Sequence, residues 1–237
     1  MLVPMKPLAS AKMRLATRVE DTTRQGAALL MLHHVLGAIG EAVGADACTV
    51  VGGDPLVKEV TLAAGANWTQ ERGHDLNSSL ALAMMSAWSD SAKAVLVVAA
   101  DVPMIASGDI LDMIAASDGL SRPVGAQAMA DGGTNALLWP ASANFPPAFG
   151  ERSFGRHQAS AAAAGTPLVS SAAGGLAFDV DNPGDLDYAR GAVLGFAEAL
   201  PEWGKRVQLW LAANAPRPAW ADVLDEVERD ETGGRLA

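Results

Sequence analysis

Asp101, Asp179 and Asp181 are the residues with the most demanding chemistry in this chain. Asp101 follows Ala94–Ala100 (AVLVVAA), a continuous apolar run that reads as a central strand buried on both faces. A carboxylate at the end of such a strand is costly unless something cationic meets it. A divalent ion such as Mg2+, shared between carboxylates and substrate phosphates, is the usual solution in nucleotide chemistry. The competing reading is that Asp101 caps a turn. Asp179 and Asp181 stand at i and i+2 of a segment read as extended, so their side chains point the same way. They can serve one metal cluster, and Asp181 can also help cap the helix expected after Asn182-Pro183.

Cations cluster at the other end of the chain. Lys6, Lys12 and Arg14 lie in a loop of small residues after the first expected strand. Small side chains let backbone N–H groups approach an anion, and the cations neutralise it. The loop carries neither the G-x-x-x-x-G-K-[ST] nor the G-x-G-x-x-G pattern. Residues 1–24 hold five Lys and Arg against two acidic residues, a balance of +3 in a chain of net charge −10. That contrast favours a local anion site, with solvated surface cations as the plain alternative. The acidic total argues against a nucleic-acid partner.

Two further segments stand out, and the second, a helix start, suits a phosphate. Asp131-Gly132-Gly133-Thr134 is a glycine turn entering a strand. Phe149-Gly150-Glu151-Arg152-Ser153-Phe154-Gly155-Arg156-His157 places a hydroxyl and two arginines at an expected helix start. For Ser153 the alternative is ordinary N-capping. His33 and His34, on the first long helix, are read as structural. Cys48, the single cysteine, reads as a small buried hydrophobe.

The elements that must position these residues alternate between strand and helix. Strands are expected at Leu2–Met5, Ala47–Val51, Trp68–Glu71, Ala94–Ala100, Val124–Ala128, Asn135–Trp139 and Ala177–Val180. Helices are expected at Asp21–Val43, from Asp54-Pro55 to about Ala64, Asn77–Trp88, from Ser107 or Asp109, Ser153–Ala164, and from Asn182-Pro183 to about Leu200. This alternation implies an α/β fold with a mainly parallel sheet covered by helices. Ligands in such folds bind beyond the carboxyl ends of the strands. The stretch Ala212–Pro218 is expected to set off a C-terminal appendage, with a disordered acidic end beyond residue 228. Trp203, Trp210 and Trp220 suggest a packed helix or an oligomer contact there. No apolar stretch reads as long enough to span a membrane, no signal-peptide core is visible, and the expected location is the cytoplasm.

Taken in order, these segments form a pattern: Val3-Pro4-Met5-Lys6-Pro7-Leu8, Ala11-Lys12-Met13-Arg14-Leu15, Asp101-Val102-Pro103, Gly133-Thr134-Asn135-Ala136-Leu137, Phe149-Gly150, Ser153-Phe154, His157 and Asp179-Val180-Asp181. From about residue 2 to 198 the chain resembles the 2-phospho-L-lactate and phosphoenolpyruvate guanylyltransferases of coenzyme F420 biosynthesis, the CofC/FbiD family. The resemblance implies a three-layer fold similar to MobA-related and nucleotide-diphospho-sugar transferases. It implies a GTP-dependent nucleotidyltransferase domain at 1–198, with 199–237 as a C-terminal helical extension of unknown role. It assigns metal binding to Asp101, Asp179 and Asp181, with Mg2+ as the ion. It assigns the GTP phosphates to Lys6, Lys12 and Arg14, the nucleoside to Asn77, and the acceptor phosphate to Thr134, Gly150 and Ser153. Asp75 stands where the family usually has Gly in the segment around Asn77.

The implied reaction moves GMP from GTP to phosphoenolpyruvate, 2-phospho-L-lactate or 3-phospho-D-glycerate and releases pyrophosphate. Two rival readings are a MobA-like enzyme with another acceptor and a non-catalytic nucleotide-binding module. A homodimer, and hand-over of product to the next F420 enzyme, are the partners left open.

Overall fold

The computed structural model describes residues 1–215. Its frame is a seven-stranded sheet in the order β3-β2-β1-β4-β6-β5-β7. The strands are β1 (Leu2–Met5), β2 (Thr49–Gly52), β3 (Asn67–Thr69), β4 (Ala94–Val98), β5 (Val124–Gln127), β6 (Thr134–Pro140) and β7 (Val169–Ser170). All neighbouring pairs are parallel except those made by β6, which runs antiparallel to β4 and β5. Reversal of β6 has a direct consequence. Its first residues, Thr134 and Asn135, lie at the edge where β1 and β4 end.

The helices are α1 (Asp21–Val43), α2 (Pro55–Ala63), α3 (Leu76–Ser89), α4 (Ser107–Ala116), α5 (Ser153–Ala163), α6 (Pro183–Ala192) and α7 (Phe196–Ala213). Alternation along the strands sends side chains to two cores. Val3, Met5, Leu96 and Val98 join Leu32, Leu36 and Ile39 of α1, Val57 of α2 and Ile110 of α4. Leu2, Val95, Val97 and Trp139 join Leu80 and Met84 of α3 and Ala161 of α5 on the other face. Helices therefore cover both faces, as the alternating pattern implies.

Local chemistry explains several boundaries. Asp54 caps α2 by accepting from Leu56 N and Val57 N, with Pro55 in the first turn. Asn182 and Pro183 do the same for α6. Asp75 caps α3 through a capping box with Ser78. Cys48 is fully buried, and burial pushes its thiol up to about 11.

Three expectations are corrected. Ala177–Val180 is not a strand. It is an irregular segment that leaves the short 3-10 turn Gly174–Leu176, with Ala177 still in the helical region, and it is held by single bonds, including Met129 N to Ala177 O and Val180 N to Asp101 O. The edge strand next to β5 is instead β7. The helix expected from Asn182 to Leu200 is two helices, because Val193 is extended and Gly195 adopts φ +75°. Finally, α1 is long and apolar enough to cross a membrane by length and composition. Thirteen of its residues are buried, and its apolar side chains pack into the protein's own core.

The second of the new helices, α7, packs along α1. His33 stacks with Trp203 at 5.2 Å, and His34 lies 5.9 Å from Phe196. Both histidines thus have structural packing roles. Trp203 and Trp210 pack against the main core. Trp220 and the acidic end beyond 228 lie outside the described residues.

At their crossing the two helix backbones touch. A Cβ on Gly26 would stand 2.6 Å from Gly204 N and 2.8 Å from its Cα. Backbone atoms have no rotamer with which to give way. Gly26→Ala is therefore expected to force α7 off α1 and cost roughly 1–3 kcal/mol, the usual range for overpacking. Urea unfolding followed by tryptophan fluorescence measures this, and an unchanged midpoint would refute the contact.

Candidate active site

The loop after β1 is organised by Arg24. The sequence groups this residue with the cations of an anion site, yet its side chain is buried. Its guanidinium donates to Leu8 O at 3.1 Å and also to Ala11 O and Ala9 O, with Asp21 as its ion-pair partner at 3.0 Å. From the other side, Asp54 Oδ2 accepts from Leu8 N at 2.8 Å. The loop is thus pinned by one buried cation and one capping carboxylate. A guanidinium carries five donors, enough for several carbonyls together with a carboxylate. No spacing rule marks Arg24 for this task, because its acceptors are backbone atoms.

This scaffold delivers Lys12 to the carboxylates. Lys12 adopts the left-handed conformation at φ 52°, ψ 40°, which a side-chain-bearing residue enters at a cost of roughly 1–2 kcal/mol. Its ammonium bonds to Asp101 and, at 2.9 Å, to Asp181 Oδ1. Burial acts to lower its pKa, but the two aspartates outweigh burial and hold it above its ordinary value. Arg14 Nη1 lies 3.5 Å from Asp181 Oδ2 and is mostly exposed. Lys6 is exposed at the end of β1, and its charge also favours ionised Asp181.

Asp101, Asp179 and Asp181 converge. One carboxylate oxygen from each lies within 4.8 Å of the others. Asp101 follows β4, while Asp179 and Asp181 come from the segment tied to it by Val180 N to Asp101 O at 3.1 Å. Val180 points into a core formed with Leu15, Leu30 and Phe196. That burial turns both flanking aspartates toward Asp101. Asp179 is nearly buried and accepts from Asn135 Nδ2 at 3.2 Å. Burial, reinforced by the charges of Asp101 and Asp181, raises its pKa to about 6 despite the Asn135 bond. Burial also opposes ionisation of Asp181, but Lys12 overrides it and lowers that pKa. Three crowded oxygen ligands, one of them reluctant to ionise, suit a hard divalent cation.

The second group of predicted residues forms its own cluster. Thr134, Ser153 and His157 are all buried. Ser153 Oγ donates to Thr134 Oγ1 at 2.9 Å, and Thr134 Oγ1 lies 3.0 Å from His157 Nδ1. Ser153 is the first residue of α5 and does not cap it. Arg152 occupies the cap position at φ 54° with no side-chain cap bond. Gly150, at φ +126°, provides the carbonyl that accepts from Ser153 N. Asn77 sits in the first turn of α3 and spends its amide on this same loop. Its Oδ1 accepts from Phe149 N at 2.7 Å and its Nδ2 donates to Phe149 O at 3.2 Å. Asn77 thus tethers the Gly150 loop to α3.

Residues 1–188 match the family model for CofC-like guanylyl transferases. The chain belongs to this family. It is a nucleotidyltransferase. A phosphoenolpyruvate guanylyltransferase from Sphaerobacter thermophilus is 38% identical over 194 residues, covering 80% of this chain and 91% of the relative. One from Rubrobacter xylanophilus is 34% identical over 185 residues, covering 78% and 90%. Among solved structures, a nucleotidyl transferase from Methanothermobacter matches with TM-score 0.59 at 17% identity, covering 82% of this chain and 98% of that one. At that identity the likeness speaks for the fold.

The raised pKa of Asp179 has a stability consequence. The folded chain holds that proton up to about pH 6, whereas the ordinary carboxylate value is 3.8. Protonated Asp179 therefore favours the folded state fully below the unfolded value, and that contribution is lost as pH rises through about 6. In protein stripped of metal, Asp179→Asn is expected to raise the melting temperature near neutral pH, with the gain fading below about pH 4. Calorimetry across that range checks the sign. A destabilised variant at neutral pH would mean that Asp179 is not under electrostatic strain.

Proposed function

We propose that the enzyme transfers GMP from GTP to phosphoenolpyruvate, releasing pyrophosphate, as a step of coenzyme F420 biosynthesis. The carrying observation is the convergence of Asp101, Asp179 and Asp181 with Lys12 beside them. The choice of acceptor is supported by the relatives named phosphoenolpyruvate guanylyltransferase. 2-Phospho-L-lactate and 3-phospho-D-glycerate share its phosphate and carboxylate and are the natural competitors.

Asp101, Asp179 and Asp181 would hold Mg2+, which when bound supplies positive charge against the triphosphate. Lys6, Lys12 and Arg14 lie at the same edge and bind and orient the GTP phosphates. Thr134, Ser153 and the Gly150 turn hold the acceptor phosphate, and Asn77 keeps that turn in place. An acceptor phosphate oxygen attacks the α-phosphorus of GTP, and the bond to the bridging oxygen of pyrophosphate breaks. A phosphate is already ionised at neutral pH, so the chain need not supply a general base. The difficulty is anion against anion, and fixed cations with in-line positioning address it.

Pyrophosphate release with GTP and Mg2+ against the three acceptors in parallel tests this reading. Wild-type enzyme is expected to turn over phosphoenolpyruvate fastest. Asp101→Asn is expected to lower kcat roughly 10³-fold with an unchanged circular dichroism spectrum. Near-normal turnover would remove Asp101 from the reaction. Ser153→Ala is expected to raise KM for the acceptor about tenfold with little change for GTP. Equal losses for both substrates would argue against a separate acceptor pocket.

A further inference from the structure

His157 has no assigned task, yet it is fully buried and both of its ring nitrogens are engaged. Nε2 accepts from the backbone N–H of Ala148 at 2.9 Å. A ring nitrogen that accepts cannot also carry a proton, so the neutral ring must carry its proton on Nδ1. Nδ1–H then points at Thr134 Oγ1, 3.0 Å away. The ring is held in place by Trp139, edge-on at 5.4 Å, and by Phe149 at 5.1 Å.

The consequence lies on Thr134. Its oxygen receives Nδ1–H from His157 and the hydroxyl hydrogen of Ser153. A hydroxyl has two lone pairs and one hydrogen. With both lone pairs taken, Thr134 can accept nothing more and can only donate. Ser153 is completely enclosed, whereas Thr134 retains 7% exposure at the start of β6. The available hydrogen of the network is therefore on Thr134.

We infer that His157 is a positioning residue that fixes the direction of this hydrogen-bond chain and makes Thr134 an obligate donor to the acceptor's phosphate oxygen. The inference rests on the acceptor site assigned above. It specifies the ligand atom as one that accepts hydrogen bonds, and it disfavours a ligand presenting a hydroxyl hydrogen to Thr134. Burial, with Arg156 nearby, lowers the His157 pKa to about 4, so the ring stays neutral and the direction holds at physiological pH.

Two measurements test this. The first needs no substrate: long-range proton–nitrogen NMR of the whole protein, with the His157 signals identified by their loss in His157→Gln. The Nδ1–H tautomer is expected, and an Nε2–H tautomer would overturn the proposal. The second is steady-state kinetics with GTP and phosphoenolpyruvate. His157→Asn keeps an N–H group near the Nδ1 position, and is expected to hold the acceptor KM within about threefold of wild type. His157→Gln lacks that donor, and is expected to raise the acceptor KM about tenfold while the GTP KM stays put. Equal acceptor KM values for the two variants, or equal shifts for both substrates, would reduce His157 to a packing role and overturn the proposal. Absence of turnover in wild type with any phosphorylated acid would defeat the proposed reaction, while the tautomer would still decide the direction of the chain.

Discussion

Mutual repulsion among three carboxylates at the sheet's carboxyl edge is the constraint on which the site depends. Asp101, Asp179 and Asp181 are brought within 4.8 Å of one another, with Asp179 nearly buried. Folding alone would not favour this arrangement, because each charge raises the cost of the next. Lys12 answers part of it by bridging Asp101 and Asp181 from a left-handed backbone. Asp179 is left with one amide hydrogen bond from Asn135 and a pKa raised to about 6. Much of the surrounding structure serves to hold these groups together. Arg24 and Asp54 pin the loop that carries Lys12, and Val180 anchors the two distal aspartates in the core.

The reversed strand β6 links this centre to the hydroxyl cluster. Thr134 and Asn135 are consecutive residues of an extended strand, so their side chains leave in opposite directions. Asn135 reaches Asp179 and the carbonyl of Leu176. Thr134 reaches Ser153 and His157. A strand parallel to β4 would have carried its first residues at the far edge of the sheet. Antiparallel pairing puts them beside Asp101, with Ala99 N bonded to Asn135 O at 2.7 Å. Two polar networks with different tasks thereby share one rigid mount.

Backing for the site comes from helix packing distant from the chemistry. Helix α1 is apolar enough to resemble a membrane span, yet it is covered by the sheet on one side and by α7 on the other. The α1–α7 crossing is close because Gly26 and Gly204 leave the backbones bare. The start of α1 carries Arg24, so the placement of this helix also sets the loop of Lys12.

Much of the fold and of the candidate site was legible in the residues themselves. Continuous apolar runs marked the buried strands, and Asp-Pro and Asn-Pro pairs marked helix starts, because both signals are local. The three aspartates stood out because a carboxylate at a strand end has few other uses, and the family pattern singled out Thr134, Gly150 and Ser153. Less visible was whatever depends on contacts between distant segments. The segment before Asp179 looked like a strand by composition, but among the described residues no neighbour offers it a ladder, and it remains an irregular tether that starts from a 3-10 turn. Arg24 was grouped with the cations of an anion site, but the fold gathers three backbone carbonyls around it, and no side-chain pattern records a backbone carbonyl. His157 carried no marker of its task, since the direction of its hydrogen bonds is set by one amide, that of Ala148. Composition and local pattern thus determined which groups were available and which elements would carry them. Tertiary structure decided their partners and the direction of each hydrogen bond, because desolvation and hydrogen-bond direction depend on neighbours far apart in the chain.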